Sequence, residues 1–210
     1  MLDKKRAMQD AEKLFSLGNE LFMKGRHAEA AAHFSKTIAL DPKRSGAYTA
    51  RGLIYCLYFT EKYDSALSDF NQAIALDPRD ALAFHGRGMI FHARGFNDLA
   101  LKDFSRVIEL NPRWGAGIYR ARGQIYHDQE LYDEAVADFT AAIELNPEYA
   151  AAHYNRALSR FYQGDYRMAW EDACKAQYLG YQIEPGLISA LIDNVHKDKM
   201  GTEAAGQRIQ

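Results

Sequence analysis

The sequence contains few cysteines and few prolines, carries little net charge and has no long apolar run. Cys56 and Cys174 lie 118 residues apart, and neither has another cysteine or a histidine at the spacing of zinc ligands. Disulfide frameworks and structural zinc sites both need such clusters. We therefore predict neither, and two isolated thiols are typical of a protein in a reducing compartment.

The charge balance and the apolar content exclude two further classes of partner. The formal net charge is −2 at pH 7, so the chain offers no long-range field for nucleic acid or an acidic membrane surface. No apolar run reaches the roughly 20 residues that span a bilayer, and residues 1–10 lack the apolar core of a secretion signal. We predict a cytoplasmic protein with no nucleic-acid or membrane partner, provided that no leader has been removed.

Motifs of catalysis and of cofactor binding are also missing. The sequence has no glycine-rich phosphate loop and no Ser-His-Asp signature. Adjacent acids such as Asp133 and Glu134 are explained by a helix start, where carboxylates complement the exposed amides. We predict that the protein is not an enzyme and binds no cofactor.

The few prolines and many of the small residues recur at regular intervals. Four prolines follow Asp or Asn, at Pro42, Pro78, Pro112 and Pro147. A central small residue recurs after 34, 36, 35 and 34 residues, at Gly18, Gly52, Gly88, Gly123 and Ala157. A second small series follows it, at Ala30, Ala66, Ala100, Ala135 and Ala169. A period in the thirties predicts an all-α solenoid of helix–turn–helix repeats, in which each central glycine faces an alanine so that the two helices approach closely.

The pattern also predicts the boundaries of the repeats. Helices over about 3–24 and 28–40 form the first repeat, because apolar residues recur there at helical spacing and Gly25 and Asp41-Pro42 end the runs. The predicted array covers 1–183, with repeats at 11–44, 45–80, 81–114, 116–149 and 150–183. The second repeat carries two extra residues within 57–63, which lengthen its first helix or its turn.

The C-terminal region differs from the repeats. A capping segment is predicted over 184–199, with a helix of about 186–198 whose apolar stripe contains Leu187, Ile188, Leu191, Ile192 and Val195. Terminal repeats need such a cover for their apolar face. Residues 200–210 show no periodicity and are predicted to be a flexible tail.

The repeated unit resembles the tetratricopeptide repeat (TPR) family. Its pattern of a Leu-Gly pair, an aromatic residue, Ala, Phe and Pro is matched in the fourth repeat by Gly123, Tyr126, Ala135, Phe139 and Pro147. The resemblance extends over roughly 11–183. It implies a right-handed superhelix of antiparallel helix pairs, with a concave groove that is lined by the first helix of each pair and usually binds a peptide or protein segment.

The resemblance also implies which side chains face this groove. The predicted peptide-binding residues are Phe15, Asn19, Met23, Leu53, His85, Met89, His92, Arg120, Gln124, His127, Tyr154, Asn155, Leu158 and Tyr162. Leu53 and Leu158 fit a core position equally well. Members of the family that clamp the carboxylate tails of chaperones use Lys, Asn and Arg at fixed positions, but here Phe15 and Gly86 stand at two of them.

The function predicted from these residues is a non-catalytic adaptor that binds a peptide or protein segment with apolar anchors. Two alternatives remain open. One is a homo-oligomer, formed through the C-terminal helix or the ridge at 57–63. The other is a metal protein that uses His85, His92, His127 and Asp128, although no tight ligand motif such as His-Glu-x-x-His is present.

Overall fold

The structure is a computed structural model that describes the backbone of residues 2–206 and the side chains of residues 5–195. Within this range the chain forms eleven α-helices, one short 3₁₀ helix at Thr60–Lys62 and no β-strand. The α-helices are α1 (Leu2–Met23), α2 (His27–Leu40), α3 (Ser45–Tyr58), α4 (Tyr63–Leu76), α5 (Ala81–Ala93), α6 (Asn97–Leu110), α7 (Ala116–Asp128), α8 (Tyr132–Leu145), α9 (Ala150–Gln163), α10 (Tyr166–Tyr178) and α11 (Pro185–Gly206). Helices α1 to α10 form five packed hairpins, α1–α2, α3–α4, α5–α6, α7–α8 and α9–α10, as the period predicts.

The turn inside most hairpins depends on one residue with positive φ. Gly25, Gly95 and Gly164 hold this position with φ of 73°, 76° and 82°, which glycine adopts without a steric penalty from a Cβ. In the fourth repeat the equivalent residue is Glu130, with φ of 62°. Among the described residues it is the one non-glycine residue with positive φ.

The Asp-Pro and Asn-Pro pairs end the second helix of each of the first four hairpins, as predicted. The residue before proline is excluded from the α region, and α2 and α4 end immediately before Asp41 and Asp77. Each of these carboxylates then accepts a hydrogen bond from the backbone amide two residues later, at Lys43 and Arg79. The chain is thereby turned toward the next hairpin.

The extra residues of the second repeat lie mainly in its turn. Helix α3 extends to Tyr58, one residue farther past its central glycine than α5 and α7 extend past theirs. The remaining residues form the 3₁₀ helix before Tyr63, because no glycine is available here for the left-handed turn of the other hairpins.

A buried phenylalanine ring fills the space beside the central glycine of each of the first four repeats. A Cβ atom built on the glycine would lie less than 3.0 Å from the ring in each of the pairs Gly18–Phe34, Gly52–Phe70, Gly88–Phe104 and Gly123–Phe139. The nearest neighbour of each glycine is therefore the phenylalanine ring, and not the alanine named from the sequence. The glycine is needed because the ring occupies the volume that its side chain would take.

In the fifth hairpin, other residues fill the space between the two helices, and one of them comes from the last helix. Ala157 and Ala173 replace the glycine and the phenylalanine, and the fully buried Leu191 of α11 packs against them. Leu187 packs beside this cluster, whereas the side chain of Ile192 is 40% exposed. Helix α11 continues to Gly206, so its predicted end near residue 198 was wrong; residues 207–210 of the predicted tail lie outside the described range.

A buried ion pair joins the two helices of four hairpins. The arginine before the central small residue donates two hydrogen bonds of 2.7–2.8 Å to an aspartate in the second helix. The pairs are Arg51–Asp69, Arg87–Asp103, Arg122–Asp138 and Arg156–Asp172. Sequence reasoning missed this series, although both members recur in phase with the glycines and phenylalanines. Such forked pairs fix the angle between the helices as well as the distance.

The chain divides into two compact units, Met1–Pro112 and Arg113–Gln210. Unit 1 contains α1 to α6, and unit 2 contains α7 to α11. The predicted groove residues therefore fall into two sets, which we call the unit 1 face (on α1, α3 and α5) and the unit 2 face (on α7 and α9).

Candidate functional site

The aromatic and aliphatic members of the unit 1 face mainly pack within the protein. The ring of Phe15 lies 5.5 Å from the buried ring of Phe34, and the guanidinium of Arg44 lies 4.3 Å above it. Leu53 and Met89 are partly buried against the core cluster that contains Phe70. These contacts favour a packing role for three residues that the sequence assigns to the groove.

The histidines of the unit 1 face are also held by neighbouring side chains. The ring of His85 lies 6.3 Å from that of the buried Phe104, and burial lowers the pKa of His85. The Nδ1 atom of His92 lies 3.4 Å from Oδ1 of Asn97. Asn19 is exposed and the side chain of Met23 is 84% exposed, so both are accessible to a ligand.

The unit 2 face contains a chain of polar side chains that fix one another. Asn155 Nδ2 donates to Gln124 Oε1 at 3.1 Å, and Gln124 Nε2 donates to Asp128 Oδ1 at 2.9 Å. At the other end of α7, Arg120 Nε donates to the hydroxyl of Tyr149 at 2.6 Å. Five side chains from two repeats are thereby held in defined rotamers before any ligand arrives.

Aromatic side chains lie beside this polar chain. The rings of Tyr132 and Tyr162 are stacked with 5.4 Å between centroids and 8° between planes, and Tyr162 is 59% exposed. His127 meets both rings edge-on at 5.5 and 5.6 Å. Tyr154 is stacked on Tyr181 at 4.5 Å.

His127 is neutral in this environment. Its Nδ1 lies 2.9 Å from Ser159 Oγ, and the Ser159 hydroxyl donates to the carbonyl of Asn155. Because the Ser159 hydroxyl proton is directed to that carbonyl, Oγ is left as an acceptor, and the imidazole donates its Nδ1 proton to it. Burial lowers the pKa of His127, and the carboxylate of Asp128 opposes this effect in part.

Sequence reasoning found the first-helix members of the unit 2 face and missed their partners. Tyr132, Tyr149 and Tyr181 lie in turns or at helix starts, outside the first-helix positions to which the family pattern assigns the groove. Their aromatic character is visible in the sequence, but the ring that each one contacts depends on how the helices pack.

The described residues were also compared with the geometry of metal sites and of membrane-spanning helices. In the side chains of residues 5–195, no group of three or more His, Cys, Asp or Glu residues is arranged to hold a metal ion. Within residues 2–206, no helix is long and apolar enough to cross a membrane.

Profiles of tetratricopeptide repeats match residues 11–44, 57–113 and 123–164 of the chain. The chain belongs to the tetratricopeptide repeat family. Its fold is the all-α TPR solenoid, in which each helix pair is one structural repeat. Proteins of this fold are in general scaffolds for protein–protein interaction.

Solved TPR structures have the same fold at low sequence identity. YrrB, described as a TPR protein with an unusual peptide-binding site, is 24% identical with a TM-score of 0.71, over 93% of this chain and 97% of its own. MamA from Desulfovibrio magneticus RS-1 is 19% identical with a TM-score of 0.71, over 81% and 94%. PilF of Pseudomonas aeruginosa is 16% identical with a TM-score of 0.72, over 99% and 92%. No curated protein matches the sequence.

Proposed function

We propose that this TPR protein is a non-catalytic adaptor whose unit 2 face binds a peptide or a segment of a partner protein. The observation that carries the proposal is the fixed chain formed by Asn155, Gln124 and Asp128 beside the exposed ring of Tyr162. Side chains that are already held in place lose little conformational entropy when a ligand binds.

The chemistry of this face suits an extended segment. Side-chain amides can donate and accept at the same time, and the amides of Gln124 and Asn155 keep donor and acceptor capacity beyond the bonds that they make to each other. Gln124, which is partly exposed, can therefore pair with the backbone of an extended peptide, while Asn155, which is buried, holds the Gln124 amide in place. The partly buried Leu158 and the exposed Tyr162 provide apolar surface for the anchors of such a segment.

Two further observations support the proposal. YrrB, which has the same fold, is described as having a peptide-binding site. Cys56 and Cys174 are free thiols, which fits the cytoplasmic location that the sequence predicts. The unit 1 face supports the proposal less well, because Phe15, Leu53 and Met89 pack against its own core.

A display selection with randomised dodecapeptides tests this function. The purified full chain is the bait, and the enriched peptides are measured by fluorescence anisotropy. We expect the double variant Gln124→Ala/Asn155→Ala to weaken binding by about tenfold, because two hydrogen-bonding side chains are removed. Helicity and melting temperature, measured by circular dichroism, must match those of the wild type.

Asn19→Ala is the matched control, since it removes the same functional group from the exposed surface of unit 1. It should leave the affinity unchanged. If Asn19→Ala weakens binding and the double variant does not, the site lies on unit 1. A selection that enriches no peptide at all would contradict the proposal.

A further inference from the structure

An open depression lies at the turn between α7 and α8, next to the unit 2 face. It has a volume of about 370 Å³ and is lined by Glu130, Leu131, Tyr132, Asp133, Glu134 and Gln163. Tyr132 forms its aromatic wall, and Tyr162 of the unit 2 face supports that wall by stacking. The lining therefore combines an aromatic ring, a leucine that is 42% exposed and three carboxylates.

The charge around the depression has one sign. Residues 124–155 contain seven Asp and Glu residues and no Lys or Arg. One of the seven, Asp138, is paired with Arg122, whereas Glu130, Asp133 and Glu134 line the depression. Asp133 accepts a hydrogen bond from the neutral amide of Gln163 at 2.6 Å, which orients the carboxylate without cancelling its charge.

The aromatic groups add no positive charge. Burial lowers the pKa of His127, so that the imidazole beside the two tyrosines is neutral near pH 7. Desolvation, together with the charge of Glu130 and the Tyr162 ring, raises the pKa of Tyr132, so its phenol is neutral as well. An electron-rich ring with carboxylates around it attracts a cation through the ring quadrupole and through ion pairing.

The first, third and fifth repeats lack this combination, whereas the second has Glu61, Tyr63 and Asp64 at the equivalent positions. There, however, Asp64 is already paired with Arg94, whose guanidinium also lies over the Tyr63 ring. The residues equivalent to Glu130 and Tyr132 are Gly25 and His27 in the first repeat, and Gly95 and Asn97 in the third. The fourth repeat therefore differs from the second in that residues 124–155 contain no Lys or Arg.

We propose that this depression binds a lysine or arginine side chain of the segment that occupies the unit 2 face. The inference rests on the function proposed above and specifies its ligand: a peptide with an apolar anchor near Tyr162 and a basic residue directed toward Tyr132. The aliphatic stem of the basic residue packs on Leu131, and its charged end meets the carboxylates while it remains near water.

Selection with the same dodecapeptide library, on two baits, provides the first test. The wild type should enrich peptides with Lys or Arg at a fixed distance from an apolar residue. The variant Glu130→Gln/Asp133→Asn/Glu134→Gln should still enrich peptides, but without that basic residue. The control Glu144→Gln/Glu171→Gln/Asp193→Asn removes three charges from exposed sites of unit 2, and it should keep the preference.

Affinities of a selected peptide provide the second test. Replacing its basic residue by norleucine should weaken binding to the wild type by about tenfold, as expected for one cation–π contact combined with ion pairs. The triple carboxylate variant should bind both peptides equally. Tyr132→Leu should lose a large part of the discrimination, whereas Tyr132→Phe should keep it because the ring remains.

Glu130 allows a test that separates binding from folding. Its φ of 62° favours glycine, so Glu130→Gly should raise the melting temperature while it lowers the preference for the basic peptide. An unchanged preference would count against the proposal. Equal affinity of the wild type for the basic and norleucine peptides would also count against the proposal. In that case, a loss of binding in Gln124→Ala/Asn155→Ala would still support the proposed function of the unit 2 face. A wild-type bait that enriches no peptide would overturn both proposals.

Discussion

Phe70 shows how a single residue connects successive repeats. Its ring lies against Gly52 of its own repeat and against Gly86 of the next, where a built Cβ would lie 2.3 Å from a ring atom. Gly86 occupies one of the first-helix positions that the family pattern assigns to the groove, yet it is fully enclosed. A position that is open in one repeat can therefore be part of the core in another.

Gly86→Ala should destabilise the protein. The added methyl group forces the Phe70 ring to move, and such overpacking costs about 1–3 kcal/mol. The higher helix propensity of alanine offsets up to about 1 kcal/mol of this. Gly117→Ala is the control, because a Cβ at Gly117 meets no atom within 4 Å; it should be neutral or stabilising. Urea denaturation followed by circular dichroism measures both, and equal midpoints would contradict the expectation.

Two partly buried histidines should make stability depend on pH. Burial lowers the pKa of His127 and of His85 in the folded protein. The unfolded chain, with a histidine pKa of about 6.5, then binds protons more readily than the folded state. Their contribution to the free energy of unfolding is complete above about pH 6.5 and is lost as the pH falls below that value.

His127→Gln tests this expectation at one site, because glutamine can still donate to Ser159 but does not titrate. We expect the variant to lose less stability than the wild type between about pH 7.5 and about pH 5.5. The free energy of unfolding from urea titrations at each pH provides the comparison. Parallel curves for the two proteins would show that His127 is not coupled to folding.

At the scale of elements, the last helix completes the core of unit 2. Ala157 and Ala173 leave room that a Gly–Phe pair fills in the earlier repeats, and Leu191 enters that room from α11. The residues of the apolar stripe predicted from the sequence therefore differ in burial. Leu191 is fully buried, whereas the adjacent Ile192 remains 40% exposed.

Leu191→Ala should lower the free energy of unfolding by about 2–4 kcal/mol, since it leaves a cavity beside two alanines that cannot fill it. Ile192→Ala, one position along the same helix, should cost less than about 1 kcal/mol because its side chain is already partly in water. Urea denaturation curves of the two variants measure both losses of unfolding free energy. Similar losses would mean that α11 does not pack on α10 as described.

At the scale of the whole molecule, the packing of α11 bears on the predicted alternative of self-association through the C-terminal helix. Of the stripe residues that the sequence offers as an oligomer seam, Leu191 is fully buried and Leu187 is partly buried against the core of unit 2. We therefore expect sedimentation equilibrium to give a mass of 23.8 kDa at every concentration tested. A mass that rises with concentration would contradict this expectation, and Ile192→Glu would then show whether α11 forms the contact.

The sequence by itself determined the family, the helical hairpins and where many of their helices end. Each of these is a local matter: Asp41-Pro42 ends a helix through the backbone of neighbouring residues, and Gly25 makes the turn through its own φ. A period read along the chain captures such features without knowledge of any distant contact.

The tertiary structure alone decided which side chains are available for binding. Successive residues of a helix point about 100° apart, so a small rotation set by packing turns a groove position such as Met89 toward the core. The residues that meet on the unit 2 face are also distant in sequence, because Tyr132 contacts Tyr162 and Asn155 contacts Gln124 across two repeats. These pairings follow from how the helices pack, and no local pattern encodes them.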